Sequence, residues 1–136
     1  MKISKRAQYG LTAMVHLARN KNKVVKLSGA NHDAVSVREI SNIEGVPYAF
    51  LSKIFSDMEK AKLVEAKYGA NGGYVLTKSP GKITAIDIVG LLEDINTVDC
   101  RLCLKSKKCL TKNVWGKVDM AISKTLGSIT LADLIK

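Results

Sequence analysis

The stretch from Ser36 to Thr77 constrains the fold most tightly, because hydrophobic period and breaker residues change together along it. Ser36 and Glu39 stand at capping-box spacing, the serine hydroxyl accepting from the Glu39 amide and the glutamate reaching back to the Ser36 amide. Val37, Ile40 and Ile43 then face inward, and Gly45 ends a helix of about two turns. Pro47 suits the start of the next helix, where its missing amide hydrogen would have no partner anyway. In that helix Leu51, Ile54, Phe55 and Met58 make the buried stripe. Pro47, Tyr48, Ala49, Ser52, Lys53 and Ser56 lie on or beside the outer face. A short capped helix, a tight turn and a second helix with a small polar outer face form a helix-turn-helix.

Downstream the period drops to two. Val64, Ala66 and Tyr68 alternate with Glu65 and Lys67, residues 69–73 form a glycine-rich turn, and residues 74–77 are extended again. A hairpin directly after a helix-turn-helix is a wing. Its tip, with Asn71, Gly72 and two further glycines, lets backbone approach a phosphate or enter a minor groove. The expected fold is mainly α with a small β-hairpin. Residues 1–82 form a winged helix-turn-helix domain. Residues 83–136 hold a linker helix, a cysteine loop and a long C-terminal dimerisation helix.

The flanking segments follow the same logic. Ala7, Leu11, Met14 and Ala18 mark a helix over residues 7–20. Residues 20–34 read as a loop with a short extended piece at Val24 and Val25. Thr84 and Asp87 open a helix running to Glu93 or Ile95. From Asn113 onward Trp115, Val118, Ile122, Thr125 and Ile129 recur near a 3.5-residue spacing, widened by Val114, Ala121 and Leu126. Gly127 reads as the stop of this helix, and residues 130–133 as a last short turn. So broad an apolar face beyond a finished small domain needs a cover, and a second copy of the chain supplies one through Trp115, Val118, Ile122 and Leu126.

Charge narrows the function. Of a net +10, residues 1–81 carry +7 and residues 82–136 carry +3, so the reading domain is the more basic part. That favours a polyanionic partner such as double-stranded DNA. Arg38 and Lys53 on the two helices, with Lys67 and Tyr68 on the wing, are candidate contacts. No apolar run reaches the roughly 18 residues of a membrane span, and the N-terminal residues lack the pattern of a signal peptide. The expectation is a cytoplasmic protein. No nucleophile–base set, phosphate-binding glycine loop or paired carboxylate emerges, so an enzyme is not expected.

All three cysteines, Cys100, Cys103 and Cys109, fall within ten residues of a lysine-rich loop. A disulfide needs an oxidising compartment that nothing in the sequence suggests, and a polar basic loop does not resemble a core. A metal or cluster site and a thiol redox switch remain. The spacing offers soft ligands from one loop, and Arg101, Lys105, Lys107, Lys108 and Lys112 would stabilise thiolates. Spacing does not separate zinc from iron–sulfur.

With wing and cysteine loop both placed, the chain resembles the Rrf2 family of bacterial winged-helix transcription regulators over nearly its whole length. The resemblance rests on MKISKRAQYGLTAMVHLA, LVEAKYGANGGYVLTKSPGKITAIDIV and CLTKNVWGKVDMAISKTLGSITLADLI. It implies a homodimer on a palindromic operator, with residues 47–53 in the major groove and Lys67 to Gly73 in the minor groove. It also implies an iron–sulfur cluster, 2Fe-2S or 4Fe-4S, on Cys100, Cys103 and Cys109. The sequence departs from the family pattern in several places. Tyr68 stands where many members have an arginine, and Ser52 and Lys53 replace a glutamate–glutamine pair. Cys100 sits closer to Cys103 than is usual. Lys112 and Gln8 occupy the positions of the two fourth ligands used in the family, leaving that ligand unknown. His16 and His32 read as ordinary histidines. The connection over residues 21–34 is also longer than usual.

Overall fold

The structure is a computed structural model and describes residues 2–27, 34–70, 72–97 and 109–136. In chain order it contains α1 (Lys5–Leu27), α2 (Val37–Glu44), α3 (Tyr48–Lys60), β1 (Val64–Lys67), β2 (Gly73–Leu76), α4 (Ala85–Leu92), α5 (Lys112–Gly127) and α6 (Leu131–Leu134). A 3-10 turn over Pro80–Lys82 precedes α4.

α1 is longer than its sequence pattern predicts, continuing past Asn20 to Leu27. The residues between are lysines, asparagine and aliphatics, with no glycine or proline before Gly29, and lysine is a good helix former. Val24 and Val25 therefore lie in a helix and not in an extended piece. Ala7, Ala13, Met14, Leu17 and Ala18 are buried along its inner face, and Leu11 packs half-buried beside them.

α2 opens on the Ser36 hydroxyl, which accepts from the Glu39 amide at 3.1 Å. It ends at Gly45, whose φ of 66° is a left-handed conformation that a β-carbon disfavours. Val37 and Ile40 are buried as expected, but Ile43 is 62% exposed. At 3.6 residues per turn Ile43 falls well to the side of the line through Val37 and Ile40. Val46, beyond the turn, fills the core instead. α3 buries Leu51, Ile54, Phe55 and Met58, the stripe its spacing predicts.

β1 and β2 pair antiparallel, with Val64 opposite Leu76 and Lys67 opposite Gly73. Strand pairing stops at Lys67, so Tyr68 lies past the alternation that its sequence suggested. Val35, just before α2, adds a one-residue bridge to Tyr74, with reciprocal amide–carbonyl bonds of 3.0 and 2.9 Å. Tyr74 stacks on Phe55 at 4.7 Å, tying the hairpin to α3.

Thr84 forms a complete capping box with Asp87 and starts α4, which ends at Leu92, slightly short of the expected boundary. The chain's last segment returns to this point. The Ala85 amide donates to the Ile129 carbonyl at 2.8 Å, the Leu131 amide donates to the Ile83 carbonyl at 2.9 Å, and Thr130 caps α6 with Asp133. One apolar core results, uniting α1, α2, α3 and the hairpin with Ile83, Ile88, Val89, Leu92 and the fully buried Leu131. α5 contributes no buried residue.

Candidate nucleic-acid interface and cysteine site

The turn between α2 and α3 is held from within: the Ser41 hydroxyl donates to the Val46 carbonyl at 2.5 Å and the Val46 amide donates to the Ser41 carbonyl at 3.2 Å. That fixes the start of α3 against α2. Pro47, Tyr48, Ala49 and Lys53 are exposed there and Ser52 is half-buried, a display of the kind that enters a major groove. Arg38 is exposed on α2 with its guanidinium 4.7 Å from the centre of the Tyr48 ring. That cation–π contact places a permanent charge beside the first turn of α3. Phe50, 38% exposed, leans edge-on against Tyr9 of α1.

Two residues outside the sequence-derived set belong to this region. Asp57, one turn beyond Lys53, has one carboxylate oxygen on the guanidinium of Arg6 from α1 and the other 4.0 Å from the Lys53 ammonium. The i,i+4 spacing of Lys53 and Asp57 was visible in the sequence. Arg6 was not, since nothing local links it to α3.

On the wing, Lys67 is exposed and 3.9 Å from the Glu65 carboxylate on the same strand. Tyr68 is 92% exposed. The Gly72 amide donates to the Gly69 carbonyl at 3.0 Å, closing the tip. Asn71 lies outside the described residues. Behind the tip the Tyr74 phenol is pushed above its ordinary pKa, first by burial and then by the Glu59 carboxylate.

On α5, Trp115, Val118, Ile122 and Leu126 follow one line, with Trp115 39% exposed and the other three half-buried. Val114 and Met120 add exposed apolar area. An open groove of about 600 Å³ runs beside this line, between the N-terminal Ile3, the α4 exit at Ile95, and Ile122 and Leu126. Thr97 secures that exit to α5, its amide and hydroxyl both donating to Asp119 at 2.8 Å.

Cys100 and Cys103 lie outside the described residues, as does His32. Cys109 is a free, partly exposed thiol that shares a 3.2 Å hydrogen bond with the Thr111 hydroxyl. Its pKa lies below that of an ordinary cysteine, chiefly through the Thr111 hydroxyl and amide, with a further contribution from Lys112. A thiolate stabilised in this way is a good soft ligand and a good nucleophile. Among the described residues no three His, Cys, Asp or Glu side chains gather around a metal position. His16 is engaged elsewhere, 2.6 Å from Glu44, where it joins α1 to α2.

Residues 3–136 match the Rrf2 family, described as "Iron-dependent Transcriptional regulator". The transcriptional regulator CymR of Bacillus subtilis is 33% identical over 98% of this chain and 89% of its own length. The Rrf2 protein of Nitratidesulfovibrio vulgaris is 28% identical over the full chain and 88% of its own length. The solved structure of B. subtilis CymR, titled the global cysteine regulator, superposes with a TM-score of 0.77 at 32% identity, covering 99% of this chain and 96% of that one. T. potens IscR gives 0.78 at 32% identity, covering 99% and 86%. These relatives and neighbours are transcriptional regulators and not enzymes, and a helix-turn-helix is a DNA-binding motif of such regulators. The chain is therefore a member of the Rrf2 family of DNA-binding transcriptional regulators.

Proposed function

We propose that this protein works as a homodimer on a palindromic operator, with residues 1–82 as the reading head and residues 83–136 as the dimerising and sensing part. The observation that carries the reading is the exposed first half of α3 beside a glycine-tipped hairpin, on the more basic part of a +10 chain. Pro47, Tyr48, Ala49, Ser52 and Lys53 face base edges, Arg38 flanks them, and Lys67, Tyr68, Asn71 and Gly72 follow the adjacent backbone. Tyr68 brings no charge to the minor groove, so Lys67 supplies the wing's electrostatic contact. The line of Trp115, Val118, Ile122 and Leu126, none of them buried in the single chain, supports the dimer. Among the described residues no helix is long and apolar enough to cross a membrane, which agrees with action on DNA in the cytoplasm.

The sensing site is the cysteine loop. Three thiols in a basic setting suit an iron–sulfur cluster, with Cys100, Cys103 and Cys109 as ligands, and the family's described iron dependence supports that assignment. Bound there, a cluster would supply one-electron redox chemistry and sensitivity to oxidants. The chain's own part is to hold the thiolates, Cys109 being assisted by Thr111, and to anchor the loop at both ends. The Thr97–Asp119 bonds fasten its entry directly to α5, so a change in loop conformation bears on the dimer helix and the α4 junction together.

A second reading, the same DNA-binding dimer with a cluster-free thiol switch or zinc, has specific support. One structural neighbour at 28% identity and TM-score 0.77 is titled the oxidized form of Staphylococcus aureus CymR, and Cys109 already has a lowered pKa. Anaerobic purification with iron and sulfide analysis and a visible spectrum separates the two. Coloured protein whose operator affinity changes on cluster loss supports the first reading. Colourless protein that responds to oxidant or zinc supports the second.

A further inference from the structure

Asp57 stands on the same exposed side of α3 as Lys53, one turn further on, and its two carboxylate oxygens have different partners. One is held by the Arg6 guanidinium of α1, and the other lies 4.0 Å from the Lys53 ammonium. The Asp57 side chain is only 18% exposed, whereas that of Lys53 is 69% exposed. The carboxylate is thus packed against the protein, whereas the lysine head stands in solvent. Arg6 meets Asp57 through one terminal nitrogen, and among the described residues its buried Nε has no hydrogen-bond partner.

We infer that Asp57 is a positioning residue for sequence recognition: anchored by Arg6, it gives Lys53 a partner inside the protein and so holds down binding to non-cognate DNA. This rests on the DNA-reading role proposed for Lys53. An exposed Lys–Asp pair at i,i+4, with the lysine on the N-terminal side, is the weaker orientation of such a pair. A well-placed base acceptor therefore draws Lys53 away. Any contact of Lys53 with DNA gives up the Asp57 partner; a base acceptor at hydrogen-bond distance replaces it with a directed bond, whereas a phosphate met out of register replaces it less well. The penalty falls on wrong complexes more than on right ones, which is how a repulsive element raises specificity.

The test uses the full chain, an operator selected from a random duplex pool, and a random-sequence duplex of equal length. Asp57→Asn is expected to raise affinity for the random duplex about two- to fivefold. It should also steepen the salt slope of non-cognate binding by about one. Operator affinity should change less, so discrimination falls. Asp57→Glu should recover it, and in a Lys53→Gln background Asp57→Asn should leave discrimination unchanged. Where the single variant does not fold, R6Q/D57N, which leaves neither charge unpartnered, carries the same expectation. Discrimination that stays at the wild-type value in a folded variant overturns the inference and leaves Asp57 as a tie between α1 and α3. If wild-type protein binds no duplex with salt dependence, the DNA-reading function itself fails.

Discussion

A β-carbon at position 73 would lie 2.3 Å from the Val35 carbonyl oxygen, inside the bridge that joins Tyr74 to the chain before α2. The sequence marks Gly73 as part of a turn, but its strict requirement comes from a residue 38 positions upstream that no local pattern points to. Gly73→Ala is expected to open the Val35 bridge, cost about 1–3 kcal/mol in urea denaturation, and weaken DNA binding through the displaced wing. Unchanged stability would mean that the bridge is incidental. Lys53→Ala should shift sequence preference by roughly 1–3 kcal/mol at the base it touches, whereas a uniform loss over all sequences would make it a phosphate contact. At Cys109 the sign is equally definite. The Thr111 hydroxyl and amide favour the thiolate, so the pKa lies below that of a free cysteine. With Cys100 and Cys103 replaced by serine, alkylation of Cys109 should reach half its maximal rate at a lower pH than alkylation of a free cysteine. Thr111→Val should move that midpoint upward, and an unmoved midpoint would remove the hydroxyl from the account.

Elements were legible where a stripe, a cap and a breaker agreed. α3 shows all four of its stripe residues buried, and Thr84 caps α4 as its spacing with Asp87 implies. Ile43 and the last seven residues of α1 depart from the sequence pattern because periodicity reports angles around a helix and breakers report its ends, whereas burial and length depend on tertiary neighbours. The sequence marks the chain's last segment only as a short turn. Its pairing with residues 83–85 is non-local, and the fully buried Leu131 gives no sign of which partner it seeks. The function of this element is to close the core beneath α4. Leu131→Ala should therefore cost roughly 2–5 kcal/mol. The Thr130 cap adds a pH term. Bonds from the Thr130 amide and hydroxyl lower the Asp133 pKa, so that residue's contribution is present above the ordinary carboxylate pKa and disappears as pH falls through the lowered value. Thr130→Ala keeps the amide bond and removes only the hydroxyl, so it should partly flatten this part of the acid-unfolding curve, and an unchanged curve would remove the hydroxyl from the account.

At the scale of the whole molecule, α5 stands apart from the fold and is the element on which the proposed assembly depends. None of its residues is buried in the single chain, and Ile122 lies outside the core that Leu126 joins at its edge. A charge at Ile122 therefore tests the proposed contact between copies without opening the fold. Ile122→Glu is expected to sediment at the mass of one chain with its helical circular dichroism intact, and to bind a full palindrome no better than a half-site. A folded variant that still sediments as a dimer would place the interface elsewhere. Salt gives an independent check through the wild-type protein. Two chains of +10 repel each other, so an apolar interface between them should tighten as salt screens that repulsion. Binding to DNA, driven by release of counterions from phosphates, should loosen over the same range. Opposite slopes for the two equilibria are what an apolar dimer helix joined to basic reading heads requires. If both loosened with salt, the subunits would be held by ion pairs, and the line from Trp115 to Leu126 would not be the seam.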